Sequence, residues 1–157
     1  MDSEAKKILE LIENVDPSDT DKLDEIDARV WCWLNGKKFQ ELMPEMNIQK
    51  NNNIVMFGYS PNIIQHTYKY TRSRDALKDI RPEGYSFTTS PRFCTARNHK
   101  AVRWADDNFL EILDQPQPYE TPYGVEFFET PMLPTEELAE LYAIIQAIEY
   151  ERKDNEN

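Results

Sequence analysis

The chain switches between stretches with a helical apolar period and stretches with a strand period. Ala5, Ile8, Leu9 and Ile12 recur at i, i+3, i+4 and i+7, which predicts an amphipathic helix behind a cap at Ser3. Asp16-Pro17-Ser18 breaks it. Thr20 can cap a second helix, with Asp21 in its first turn and an apolar face of Leu23, Ile26, Val30, Trp33 and Leu34. Trp31 lies off that stripe, so this helix should be covered on more than one side. Asn35-Gly36 stops it, because glycine accepts the left-handed conformation at a helix end. The last helix opens at Thr135, with Glu136 and Glu137 at its positive end. Leu138, Leu141, Tyr142, Ile145 and Ile148 form one face, and Ala139, Ala143 and Ala147 a flat strip beside it. Arg152-Lys153 suits its negative end, and residues 154–157 should fray as an acidic tail.

The middle reads as strands and turns. Residues 37–65 carry few signals: a turn at 50–53, a short strand at 54–57 and a turn at 60–62. Residues 66–70 extend as a strand or as a lead-in. Thr71 or Ser73 then caps a short helix containing Ala76, Leu77 and Ile80, closed by Pro82. Glu83-Gly84 turns the chain into an alternating strand at 85–89. Further strands are expected at 92–97, after which Asn98-His99 turns the chain, and at 101–105. Residues 109–113 fit a strand or a helical turn, 115–118 a proline loop, and 125–128 a last strand. Strands this close together favour antiparallel pairing. The expected fold is therefore α+β: one domain over residues 1–153, with an antiparallel sheet of about four strands and helices packed on its faces, an α/β/α sandwich.

Composition narrows the class. A length of 157 residues fits one domain, and 39% hydrophobic residues exclude wholesale disorder. No run reaches the roughly 18 apolar residues of a membrane span. The acidic start is unlike a signal peptide, and Cys32 and Cys94 make no disulfide framework, so a (host) cytoplasmic location is expected. The net charge of -11 opposes nonspecific nucleic-acid binding. That average hides a division: residues 1–45 carry -6, residues 46–105 carry +7 and residues 106–157 carry -12. Either the basic middle neutralises acidic helices internally, or some of Lys69, Arg72, Arg74, Lys78, Arg81, Arg92, Arg97, Lys100 and Arg103 form a local anion site.

Candidate chemistry is sparse. His66 and His99 have no metal-ligand spacing with the cysteines, so neither metal nor cofactor is expected. A Cys94–His99 pair competes with the simpler reading of Cys94 as a small buried hydrophobe. Gly36, Gly58, Gly84 and Gly124 stand singly, which excludes a phosphate-cradling glycine loop. Glu126 and Glu129 cannot be told from surface charge, so no catalytic residue is assigned. The richest segment is Tyr70-Thr71-Arg72-Ser73-Arg74-Asp75-Ala76. Its arginines offer planar donors to phosphate. The candidate anion site is Tyr70, Arg72, Ser73 and Arg74, with Tyr85 or Trp104 as a stacking partner. The alternative is a capped surface helix with solvated arginines.

Three blocks stand out: Leu23-Asp24-Glu25-Ile26-Asp27-Ala28-Arg29-Val30-Trp31; Tyr70 to Leu77 with Pro82-Glu83-Gly84-Tyr85-Ser86-Phe87; and Thr130-Pro131-Met132-Leu133 before the alanine-bearing helix. Together they resemble the small phage and prophage proteins of the phage ABA sandwich family. The resemblance implies a helix–sheet–helix layering and a phage-encoded origin. It transfers no activity; Tyr70, Arg74 and Asp75 are motif matches. The expected function is that of a non-enzymatic accessory protein binding a host factor or an anionic small molecule such as a nucleotide. The alternatives are an acidic nucleic-acid mimic that inhibits a host nucleic-acid-binding protein, and a small hydrolase.

Overall fold

The computed structural model describes residues 2–39, 49–50, 54–59, 63–89, 93–98, 120–121, 124–125 and 127–156. The protein is a mixed helix-and-strand, α+β structure. Its contacts cluster into two compact units, Met1–Asp79 and Ile80–Asn157.

In the first unit, α1 (Ser3–Asn14) and α2 (Thr20–Leu34) pack together as a helical hairpin. Ala5, Ile8, Leu9 and Ile12 are buried as their spacing predicts. The caps sit one residue earlier than expected. Asp2, not Ser3, accepts from the Glu4 N–H at 2.9 Å, and Asp19, not Thr20, accepts from the Lys22 N–H at 3.2 Å. A carboxylate at the cap answers both the orphan donors and the positive helix end. The other Asp2 oxygen accepts from the Trp33 indole N–H at 3.3 Å, tying the start of α1 to the end of α2. Gly36 ends α2 with φ 66°. Trp31 is half-buried and Lys37 lies over its ring, so the side off the stripe is covered.

Strands β1 (Gln49–Lys50), β2 (Ile54–Tyr59) and β3 (Ile63–Tyr68) form an antiparallel sheet in that order, with Ile54 opposite Tyr68 and Tyr59 opposite Ile63. Helix α2 packs on β2 and β3. The chain then turns at Lys69–Arg72 and enters α3 (Arg74–Lys78). Of the two candidate caps, Ser73 takes the role, accepting from the Ala76 N–H at 3.2 Å.

In the second unit, β4 (Tyr85–Thr89), β5 (Cys94–Asn98) and β8 (Phe127–Glu129) form a second antiparallel sheet. Thr89 pairs with Cys94 and Ala96 with Phe128. Between them in sequence, β6 (Glu120–Thr121) and β7 (Gly124–Val125) make a two-stranded ribbon. Helix α4 (Glu136–Glu156) packs on β4, β5 and β8. Thr135 caps it, accepting from the Leu138 N–H at 3.2 Å. Its burial is wider than one face: Leu138 to Ile145, Ala147 and Glu149 are all buried. A helix buried on nearly all sides is a core helix. It runs to Glu156, through the residues expected to fray.

The described strands thus form two three-stranded sheets and a ribbon; a single sheet of four strands is not seen among them. The strand expected at 92–97 begins at Cys94 and includes Asn98, so the expected turn does not start there. Lys50, read as the start of a turn, is paired in β1. The turn at 60–62, the strand at 101–105, residues 109–113 and the loop at 115–118 lie outside the described residues. Among the described residues, no helix is long and apolar enough to cross a membrane.

Candidate functional site

The turn Lys69–Ser73 is fixed by backbone bonds from the Arg72 and Ser73 N–H groups to the Lys69 carbonyl, at 3.0 and 2.9 Å. That geometry points Thr71 and Arg72 at helix α2. Asp27 accepts from the Thr71 N–H at 2.9 Å on one oxygen. On the other it accepts from the Thr71 hydroxyl at 3.2 Å and the Arg72 guanidinium at 2.7 Å. Asp24, one helical turn earlier, takes a second contact from the same guanidinium nitrogen. Asp24 is 1% exposed and Asp27 0%. The segment with the densest candidate chemistry is therefore a buried clasp that fastens a turn to a helix.

Electrostatics here are set by burial. Loss of water pushes the Asp27 carboxyl up to about 7, against the hydrogen bonds and charge of Arg72 and Thr71. Arg72 itself is held above its ordinary value: burial opposes its charge, but the bonds and charges of Asp24 and Asp27 outweigh that. Burial also lifts the Tyr70 phenol, partly offset by a hydrogen bond with Thr67.

The expected anion site is accordingly dispersed. Tyr70 is buried, and the half-buried Arg72 guanidinium is engaged by two acids. Ser73 is occupied as a cap, and Arg74 is the exposed first residue of α3. Tyr85 belongs to β4 of the second unit, stacked with Phe87 at 6.4 Å between centroids. Trp104 lies outside the described residues. Arg72 and Ser73 share a concavity, a cleft of about 640 Å³ also lined by Tyr68, Lys69, Asp75, Ala76 and Asp79. Its two cations are matched by two carboxylates.

The same inward commitment recurs in the second unit. Arg81 contacts Glu140, which is 0% exposed on α4, and stacks over Phe87 at 5.4 Å. Lys78 makes a surface pair with Asp75 at 3.4 Å. Cys94 is fully buried, its N–H donating to the Thr130 hydroxyl at 2.9 Å, while His99 lies outside the described residues. Cys32 is also buried, and loss of water lifts its thiol to about 11, which makes it a poor nucleophile.

Sequence reasoning missed Asp24, Asp27 and Glu140. A signal existed for two of them. Asp27 stands four residues after Leu23 and three before Val30, inside the apolar stripe of α2. Glu140 stands three and seven residues before Ala143 and Ala147, on the small-residue strip of α4. An acid at a core position asks for a buried cation. Neither a protein-family model, nor a curated protein, nor a solved structure matches the chain.

Proposed function

We propose that this protein is a non-enzymatic, phage- or prophage-encoded accessory protein that binds a host factor through acidic surface, as a nucleic-acid mimic would. The carrying observation is that Arg72 and Arg81 are turned inward onto Asp24, Asp27 and Glu140. Those five groups carry a formal charge of -1, so the rest of the chain carries a formal -10 of its -11. Charge of that size steers association with a basic surface. The phage origin rests on the family resemblance. The finer architecture, an α/β/α sandwich around a sheet of about four strands, rests on the strand pattern of the sequence and on the layering the resemblance implies, and the packing of α4 on β4, β5 and β8 gives it partial support.

The test is capture of host proteins on the immobilised full chain. Basic proteins should be retained at about 50 mM salt, where screening is weak, and released at about 500 mM or by competing duplex DNA. Retention indifferent to salt and to DNA overturns the reading. The cleft beside Lys69, Arg72 and Ser73 favours a second reading, binding of an anionic small molecule. It is tested by thermal shift against a nucleotide panel, and absence of any shift removes it.

A further inference from the structure

The end of α1 and the start of α2 enclose a groove of about 350 Å³. Its floor is apolar: Leu11 and Val15 are half-buried and Ile26 is fully buried. Its rim is charged. Asp16, Asp19 and Glu25 stand against Lys22, a net of two negative charges around one small concavity. Glu25 lies 3.8 Å from Arg29, but Asp16 and Asp19 are in no ion pair among the described residues. Their oxygens serve local backbone geometry instead. Asp16 accepts from the Ser18 N–H and hydroxyl at 2.9 and 2.8 Å, and Asp19 caps α2. Both side chains are thereby held in fixed positions, outside any ion pair among the described residues. The Ser18 hydrogen bonds also hold Asp16 below its ordinary value.

We infer that this groove is the docking site for a partner segment in which a bulky apolar side chain is flanked by lysine or arginine. The apolar residue fills the floor over Leu11, Val15 and Ile26, and the flanking cations meet Asp16 and Asp19. The chemistry requires both halves. An apolar floor alone would take any hydrophobe, and a carboxylate rim alone would bind cations weakly, as exposed ion pairs do. The inference rests on the basic-partner reading above and assigns it a place on the fold.

Three labelled synthetic peptides test it on the full chain by fluorescence anisotropy: one of leucine and lysine, one with its leucines replaced by serine, and one with its lysines replaced by glutamate. The leucine–lysine peptide should bind, and each of the others should bind at least tenfold more weakly. Asp16→Asn with Asp19→Asn should weaken binding about five- to tenfold, the loss of two exposed charge contacts. Asparagine caps helices as well as aspartate does, so these variants should keep the fold, which circular dichroism verifies. Val15→Ser should weaken binding comparably, whereas Glu136→Gln with Glu137→Gln should leave it within twofold. If the peptide binds but the groove variants do not change its affinity, the groove is overturned and the basic-partner reading stands. Equal binding of the serine–lysine peptide likewise overturns the groove. If no basic peptide binds the wild-type protein, both fail together.

Discussion

Each unit buries acid against arginine, and the two solutions differ. In the first, Arg72 serves two carboxylates of α2, and the Thr71 N–H and hydroxyl complete Asp27. In the second, the Arg81 guanidinium meets Glu140 and lies over the Phe87 ring. The first is a polar network that holds the backbone of a turn in place. The second is an ion pair set in an apolar helix face. Buried pairs of the second kind often add little over well-packed hydrophobic residues, because desolvation offsets attraction. The first kind also satisfies a buried backbone donor, which no hydrophobic replacement can do.

Breaking the first site should have the largest effect. Arg72→Met leaves Asp24 and Asp27 buried with no cation, and should destabilise the protein by about 3–5 kcal/mol, read by urea denaturation. A loss under about 1 kcal/mol would mean the clasp is ornamental. The next effect is a pH dependence. The folded value of Asp27 lies above its unfolded value of 3.8, so between about 4 and 7 the folded state holds the proton and the unfolded state does not. Stability contributed by this group is therefore full below pH 4 and falls as pH rises towards 7, by at most ~1.4 kcal/mol per unit. Thermal melts of wild type and Asp27→Asn across that range should diverge in this sense. A difference between them that does not change with pH would show that Asp27 titrates alike in both states. The smallest effect belongs to the second site. Replacing both partners, Arg81→Met with Glu140→Met, should change stability by less than about 1 kcal/mol by the same denaturation assay. The equivalent apolar replacement of Arg72, Asp24 and Asp27 should still cost about 1–3 kcal/mol, because the Thr71 N–H loses its acceptor.

The helices were legible because their signals are local. Ala5, Ile8, Leu9 and Ile12 are buried at the spacing that announced them, and Thr135 caps α4 as read. Asp2 and Asp19 displaced Ser3 and Thr20 as caps, since neighbouring residues with the same chemistry compete for one role. Strand β4 follows its alternation from Tyr85 to Thr89. How strands divide into sheets was not legible, because strand pairing joins residues far apart in sequence: β8 pairs with β5 across some thirty residues.

The candidate site shows the same boundary. The residues around Tyr70 to Asp75 were singled out for donors, hydroxyls and an aromatic, all present in the sequence. Whether those donors face a ligand or an acid of the same chain depends on residues 44 to 48 positions away. The sequence by itself determined the helices, their caps to within one residue, the +7 middle and the total of -11. Only the tertiary structure decided that Arg72 and Arg81 answer buried acids. Charge is additive along a chain, whereas its compensation requires contact at a few ångströms, which only folding supplies.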